Sequence, residues 1–438
     1  MNYRNGIMLF SSCMEVKLIL LSKNGADYKS FPRNNPIAAL QSPNSHSLEK
    51  YMFGQKPFFT VESNTHLQEI AQHIQSQKII AVDLEANSLF AYKERISLIQ
   101  ISTYDNDYVI DPLGIDNMEP LLCVLRNPNI RKVMHGSDFD IVSFKRDYNT
   151  GIVNLFDTLI AARFLRYSGL GLAALIAKHF GYTIDKKYQK HNWAKRPLLQ
   201  EHLDYARGDT HWLLALYDIM TLQLKTISLF GAALEESAIL THKEWNGKGA
   251  HPHPYMRLKG FRSLPQEEKK RVRAIWEYRE VIAERRDVPS FRIFSNHSIL
   301  PLATTESGSS IFTKILGNSP LGRDKALLLE KLEAASVDER SFSLPIKEHR
   351  PQSGPYTDKV LSALRTWRNH KVEHENIDPV IVFSNDQLKA IARAIPLTEN
   401  ELRDIEGIRR WQCALYTDVV LNIVDEALPK KAKKRTVT

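Results

Sequence analysis

The run Ile79-Ile80-Ala81-Val82 ends in Asp83, Leu84 and Glu85, and no other stretch restricts the fold as much. A short apolar run of this kind reads as a core strand. Asp83 and Glu85 are two apart, so on a strand both side chains point to one face. They sit where the strand leaves a core, and two like charges there repel unless a cation neutralises them. Alone, an Asp-x-Glu can equally be a solvent-facing strand end, so its meaning depends on the rest of the chain.

Around this strand the pattern alternates. Residues 58–61 read as a strand, 65–77 as a helix, and 78–84, 96–102 and 107–110 as three strands. Three strands in close succession, joined by short turns, imply antiparallel pairing. A helix over 119–125, a strand over 131–134 and a helix over 138–146 follow. The expectation is an α/β layered domain over 58–224, a mixed sheet with flanking helices. Residues 1–57 hold Asn, Pro and Ser clusters and read as an irregular leader. Its apolar runs are split by Glu15 and Lys17, a poor signal-peptide pattern that fits a short added strand or a disordered leader better.

The chain has 438 residues, enough for two or three domains. A formal net charge of +9 favours a polyanionic partner such as nucleic acid. Cys13, Cys123 and Cys413 lie far apart, which excludes zinc spacing and a disulfide framework and points to a reducing, cytoplasmic compartment. No apolar run approaches a membrane span. A phosphate-loop motif is missing, so neither a nucleotide cofactor nor an attached helicase is expected.

Beyond 224 the pattern is helical and repeats. Trp276-Glu277-Tyr278-Arg279 precedes Pro289-Ser290-Phe291-Arg292-Ile293-Phe294-Ser295-Asn296; Trp367-Arg368-Asn369-His370 precedes Pro379-Val380-Ile381-Val382-Phe383-Ser384-Asn385. Each copy reads as a helix, a Pro-containing turn, an apolar hook and a capped helix. The copies are expected over 225–340 and 356–428, with a Ser/Gly/Pro linker between them and a basic tail over 429–438.

Two further segments supply acids. Val133-Met134-His135-Gly136-Ser137-Asp138-Phe139-Asp140 reads as strand, tight turn and helix start. With Ser137 as N-cap, Asp138 and Asp140 fall in the first turn, where the helix dipole favours acids. Tyr205 and Asp209 are i and i+4, on one helix face. Tyr217 and Asp218 are adjacent and face different ways. Asp157 opens a helix, as an N-cap or as support near the acids. Four carboxylates are what two divalent cations need, and two cations commonly serve phosphodiester hydrolysis.

Asp83-x-Glu85, the lone Asp140 five residues after His135, and Tyr205-x-x-x-Asp209, in that order, resemble the DEDDy family of 3′→5′ exonucleases. With the helical repeats, which are similar to HRDC domains, nearly everything after the leader resembles the ribonuclease D branch. That resemblance implies a ribonuclease-H-like exonuclease domain followed by two all-α HRDC-like bundles. It implies catalysis by Asp83, Glu85, Asp140, Tyr205 and Asp209. The four acids would bind two Mg²⁺ ions, which Mn²⁺ can replace, and the tyrosine would orient the attacking water. The implied partner is RNA with a single-stranded 3′ end, tRNA precursors above all, bound by a monomer. The segment from Lys186 and Lys187 to Trp193 and Arg196 matches a family loop ending in Trp-x-x-Arg-Pro-Leu, though Asn192 stands where many relatives have an acid. These four residues are candidate substrate contacts or parts of a solvated loop. His135 reads as structural in its turn and as a further candidate contact. Two readings stay open beside this one: a DNA exonuclease in repair, since the same acids cleave DNA, and a nucleic-acid-binding scaffold without catalysis.

Overall fold

The computed structural model describes residues 56–247, 253–307, 309–317, 325–336, 354 and 356–429. The expected leader (apart from residues 56 and 57), most of the linker and the basic tail beyond residue 429 lie outside the described residues.

Six strands form one mixed sheet. They are β1 (Phe58–Val61), β2 (Ile79–Ala86), β3 (Ile96–Ser102), β4 (Asp107–Ile110), β5 (Arg131–Met134) and β6 (Leu155–Asp157), in the order β1-β4-β3-β2-β5-β6. β2, β3 and β4 pair antiparallel, as their short connections require, while β1–β4, β2–β5 and β5–β6 are parallel. Every residue of β3 is buried, its polar Ser97, Gln100 and Ser102 included.

Helices cover both faces. Ile80, Val82 and Leu84 of β2 share a core with α1 (Asn64–Gln75), α2 (Glu119–Arg126) and α3 (Asp138–Tyr148). Asp83 and Glu85 alternate with them and face the other layer. That layer holds α4 (Thr158–Phe164), α5 (Leu172–Phe180), α6 (Gln200–His211) and α7 (Leu213–Thr226). The β2–β3 register shifts between Glu85 and Ala86, a bulge at the point where the strand carries its second acid.

α8 (Phe230–Leu240) packs on β6 and α4: Phe230 lies against Phe156, and the Ser237 hydroxyl accepts the Asp157 amide N–H at 3.0 Å. α8, which follows the expected end of the exonuclease domain at 224, thus packs on the nuclease layer.

That first unit comprises α9 (Gln266–Arg285), α10 (Ser290–Ile293), α11 (Asn296–Thr304), α12 (Ser310–Gly317) and α13 (Lys325–Ser336) around Val272, Ile275, Ile282 and Phe294. The second comprises α14 (Thr357–Glu375), α15 (Asn385–Ala394), α16 (Glu399–Arg403) and α17 (Arg410–Ala427), and its core merges with the nuclease layer. Their repeat register is set by arginine. Arg279 donates to the Phe294 carbonyl and Asn296 side chain, 15 and 17 residues on. Arg368 does the same to Phe383 and Asn385 at the same separations. Trp367 thus corresponds to the buried Tyr278, not to Trp276, so matching the two tryptophans misaligns the repeat by two residues. Both units dock on the nuclease layer, the second through Arg166 to Glu375 at 3.2 Å and Trp411 Nε1 to Glu236 at 3.0 Å.

Candidate active site

Three elements bring the acids together. Asp83 lies opposite Gln100 of β3 and Glu85 opposite Leu98, on the sheet face that α6 covers. β5 runs parallel to β2 and emerges beside Asp83 into the turn His135-Gly136-Ser137. Gly136 adopts φ 67°, a left-handed conformation that favours glycine. Asp157 fastens this turn: its carboxylate accepts the Gly136 and Ser137 amides at 3.0 and 2.8 Å and the Ser137 hydroxyl at 2.8 Å. It also caps α4 through the Leu159 and Ile160 amides. The two roles left open for Asp157 are therefore one residue's simultaneous work. Ser137 precedes α3, but its side chain makes no cap and serves Asp157 instead. In that first turn Asp140 is buried at 7% exposure, while Asp138 is exposed and pairs with Lys243.

α6 presents two faces. Arg207 and His211 reach Asp107 from one side, with Nε and Nδ1 at 2.7 and 2.6 Å. Lys56 Nζ completes the buried group at 2.7 Å, and Ser102 donates to the same carboxylate at 2.7 Å. Asp209 and Tyr205 lie on the opposite side. The Tyr205 ring stacks on Trp193, with centroids 5.8 Å apart.

The electrostatics fit one shared cluster. Burial raises the Asp83 carboxyl to about 7. Burial, then Asp83, Asp209 and Asp140, raise Glu85 to about 10. Asp140 is pushed well up by burial and by Asp83, and Asp209 likewise by burial and Asp83. Tyr205 is also raised, by burial and then by Asp209, Glu85 and Asp83, so its phenol keeps its proton. These four carboxylates influence one another because they share one low-dielectric cleft. Among the described residues no three His, Cys, Asp or Glu side chains close tightly enough on one point to coordinate an ion; like charges sharing a cleft have reason to splay. The donor set nevertheless fits a hard divalent cation, since it is carboxylate only. Gln100, buried beside Asp83 in register, leaves both amide atoms without a hydrogen-bond partner. A hydrated ion's water shell would supply partners of both kinds.

The expected substrate contacts divide. Lys186 and Lys187 are exposed, and Lys187 pairs with Glu201 at 3.3 Å. Trp193 is 1% exposed, a wall under Tyr205 that also lines the cleft beside Glu85. Arg196 spends all five N–H donors on Asp111 (twice) and the carbonyls of Ser97, Trp193 and Lys195. No donor remains for a phosphate, which corrects that expectation. His135 donates Nδ1–H to Thr158 at 2.9 Å, because the Thr158 hydroxyl is itself committed to the Met134 carbonyl. Burial lowers its pKa, so it is neutral. A cleft of about 160 Å³ opens beside Glu85, lined by Leu89, Phe90, Phe139 and His191 among others. No sequence signal in the β2–β3 loop marked Phe90 or Leu89 as part of a site.

The comparisons define the class first. Residues 58–225 match the family model described as 3′-5′ exonuclease, and residues 268–310 and 357–424 match the HRDC domain. The chain carries a 3′-5′ exonuclease domain followed by HRDC helices. Over much of its length it is similar to ribonuclease D of Haemophilus influenzae, at 28% identity across 77% of this chain and 85% of that one. It is 34% identical to the exosome complex component 10 homolog of Caenorhabditis elegans across 57% of this chain. It spans only 29% of the length of that relative and of the Drosophila melanogaster homolog. The catalytic core of RRP6 from Trypanosoma brucei superposes with a TM-score of 0.56 at 26% identity, covering 69% of this chain and 88% of that one. Escherichia coli RNase D shares the fold, with a TM-score of 0.62 at 22% identity over 84% and 99% of the two chains. No helix among the described residues is long and apolar enough to cross a membrane.

Proposed function

We propose that this protein is a 3′→5′ exoribonuclease that shortens RNA from single-stranded 3′ ends, with tRNA precursors as the substrate class and the cytoplasm as its compartment. The observation that carries this reading is the mutual electrostatic perturbation of Asp83, Glu85, Asp140 and Asp209 next to Tyr205 and an open cleft. The names of its relatives, ribonuclease D and exosome exonucleases, favour RNA over DNA.

Asp83, Glu85, Asp140 and Asp209 would hold two Mg²⁺ ions, which would supply an activated water and neutralise charge on the leaving oxygen. The chain's own residues do the rest. Tyr205, protonated at neutral pH, offers a hydroxyl that orients the attacking water. Trp193 stacked beneath it fixes the ring. Asp157 holds the turn from which α3 delivers Asp140. The cleft beside Glu85 takes the terminal nucleotide between apolar and aromatic walls. Water adds to phosphorus, the bond to the 3′ oxygen breaks, and that oxygen leaves with a proton, releasing a nucleoside 5′-monophosphate.

The test is a gel assay with Mg²⁺ on a 5′-labelled tRNA bearing a 3′ extension and on a matched DNA strand. Stepwise shortening of the RNA, stopping near the folded stem and absent in Asp209→Asn, is the expected result. Preferential DNA degradation would move the protein to repair chemistry. No cleavage of either strand would leave a binding scaffold.

A further inference from the structure

The β2–β3 loop, residues 87–95, belongs to two parts of the molecule at once. On its inner side Ser88, Leu89 and Phe90 line the cleft beside Glu85. On its outer side the first helical unit holds it. The Tyr92 amide N–H donates to the Asp287 carboxylate at 3.0 Å, and the Tyr92 hydroxyl donates to Glu280 at 3.2 Å. The Tyr92 ring packs against that unit's apolar core. Lys93 pairs with Glu284 at 3.2 Å. The Arg292 guanidinium lies over the Phe90 ring, 4.7 Å from its centroid. One of these contacts thus rests directly on the cleft wall.

The repeat shows that this grip is particular to the first unit. With Arg279 matched to Arg368, the gripping positions Glu280, Asp287 and Arg292 correspond to Asn369, Asn376 and Ile381. The backbone is the same, since Asp287 and Asn376 both end their helices at left-handed φ, 46° and 49°. The charge is what differs. Glu280, Asp287 and Arg292 have uncharged counterparts in the second unit, whereas Glu284, which pairs with Lys93, matches an acid there, Glu373.

We propose that the first helical unit is a positioning element for the 3′-end cleft. Glu280, Asp287 and Arg292 are positioning residues, and Phe90 is the wall they present to the terminal nucleotide. This rests on the exonuclease reading above. The unit therefore acts on substrate affinity at the cleft itself and not only on distant parts of an RNA. Its effect persists on a substrate too short to reach any other surface of the helices. Arg292 over the outer side of Phe90 leaves the inner side for a base or ribose.

The experiment uses the full chain with Mg²⁺ and a short single-stranded oligoribonucleotide. Steady-state kinetics would be measured for wild type, Arg292→Ala, Arg292→Lys, Asp287→Ala, Phe90→Ala and the double variant Arg292→Ala/Phe90→Ala. Thermal midpoints would show that each is folded. In parallel, the affinity for the same oligonucleotide would be measured in an Asp209→Asn background. The expected result is a KM raised about fivefold or more in Arg292→Ala and Asp287→Ala, with kcat within about twofold and Arg292→Lys largely restored. The double variant should be no worse than Phe90→Ala, since the arginine acts through the ring. An unchanged KM in both Arg292→Ala and Asp287→Ala, with the wild type active, would overturn the proposal. So would an additive double variant. A wild type that cleaves nothing would sink the exonuclease reading instead, and the affinities would still decide the clamp.

Discussion

Replacing Asp107 by Asn should be strongly destabilising, because it removes the charge at the centre of a buried cluster. Asp107 is 1% exposed and accepts from Lys56, Arg207, His211 and Ser102 at 2.6 to 2.7 Å. Burial works against its charge, but the His211 and Lys56 contacts prevail and hold its pKa well below the usual carboxylate range. The amide keeps the shape and removes the charge. Lys56 and Arg207 would then lose the buried charge that both contact, a defect worth about 3–5 kcal/mol. For a domain of this size that lowers the thermal midpoint by about 6–20 °C. The function should suffer as well, because Asp107 anchors the helix that carries Tyr205 and Asp209. Calorimetry and exonuclease assays well below the lowered midpoint would measure both effects. A midpoint within about 2 °C of wild type, corresponding to under about 1 kcal/mol, with full activity would refute the anchoring role.

Two further outcomes can be checked. Tyr205→Phe should slow cleavage about tenfold to a thousandfold while sparing metal binding; an unchanged single-turnover rate would make the tyrosine structural. The raised carboxyls set a pH dependence of stability for the cation-free protein. Folding lifts Asp83 from 3.8 to about 7 and Glu85 from 4.5 to about 10. The folded state therefore holds more protons than the unfolded chain within that window, and stability falls as pH rises through it. The thermal midpoint in EDTA should be lower at pH 9 than at pH 6, with Mg²⁺ narrowing the gap; a higher midpoint at pH 9 would contradict the cluster.

Local patterns carried part of this architecture and missed the rest for definable reasons. β3, β4 and β5 are legible because apolar runs bounded by turn residues are a local signal. β6 is three residues long and pairs only with β5, so no periodicity announces it. Asp157 is readable as a cap, but its grip on the Gly136 turn depends on a contact 21 residues away. Arg196 looks like a basic loop residue until Asp111, 85 residues earlier, appears beside it. The repeated tryptophans invite a false alignment, because aromatic identity is easier to see than the arginine hydrogen-bond pattern that fixes the true one. Asp107 reads as the first residue of a strand; Lys56, Arg207 and His211, which donate to it, come from before the sheet and from a helix about a hundred residues later.

α6 carries two i,i+4 pairs in alternate positions, Tyr205 with Asp209 and Arg207 with His211. An α-helix turns about 100° per residue. Because the pairs interleave, inserting or deleting a single residue within the segment changes the spacing of at least one pair and turns one of its members about 100° off its face, leaving either an acid pressed into the core or a catalytic face without its acid. Substitutions here can be graded, but changes of length cannot. Seven residues of this chain, from 205 to 211, therefore form a segment whose spacing is as binding as its chemistry, and libraries that vary loop and helix lengths should find no active member altered within it.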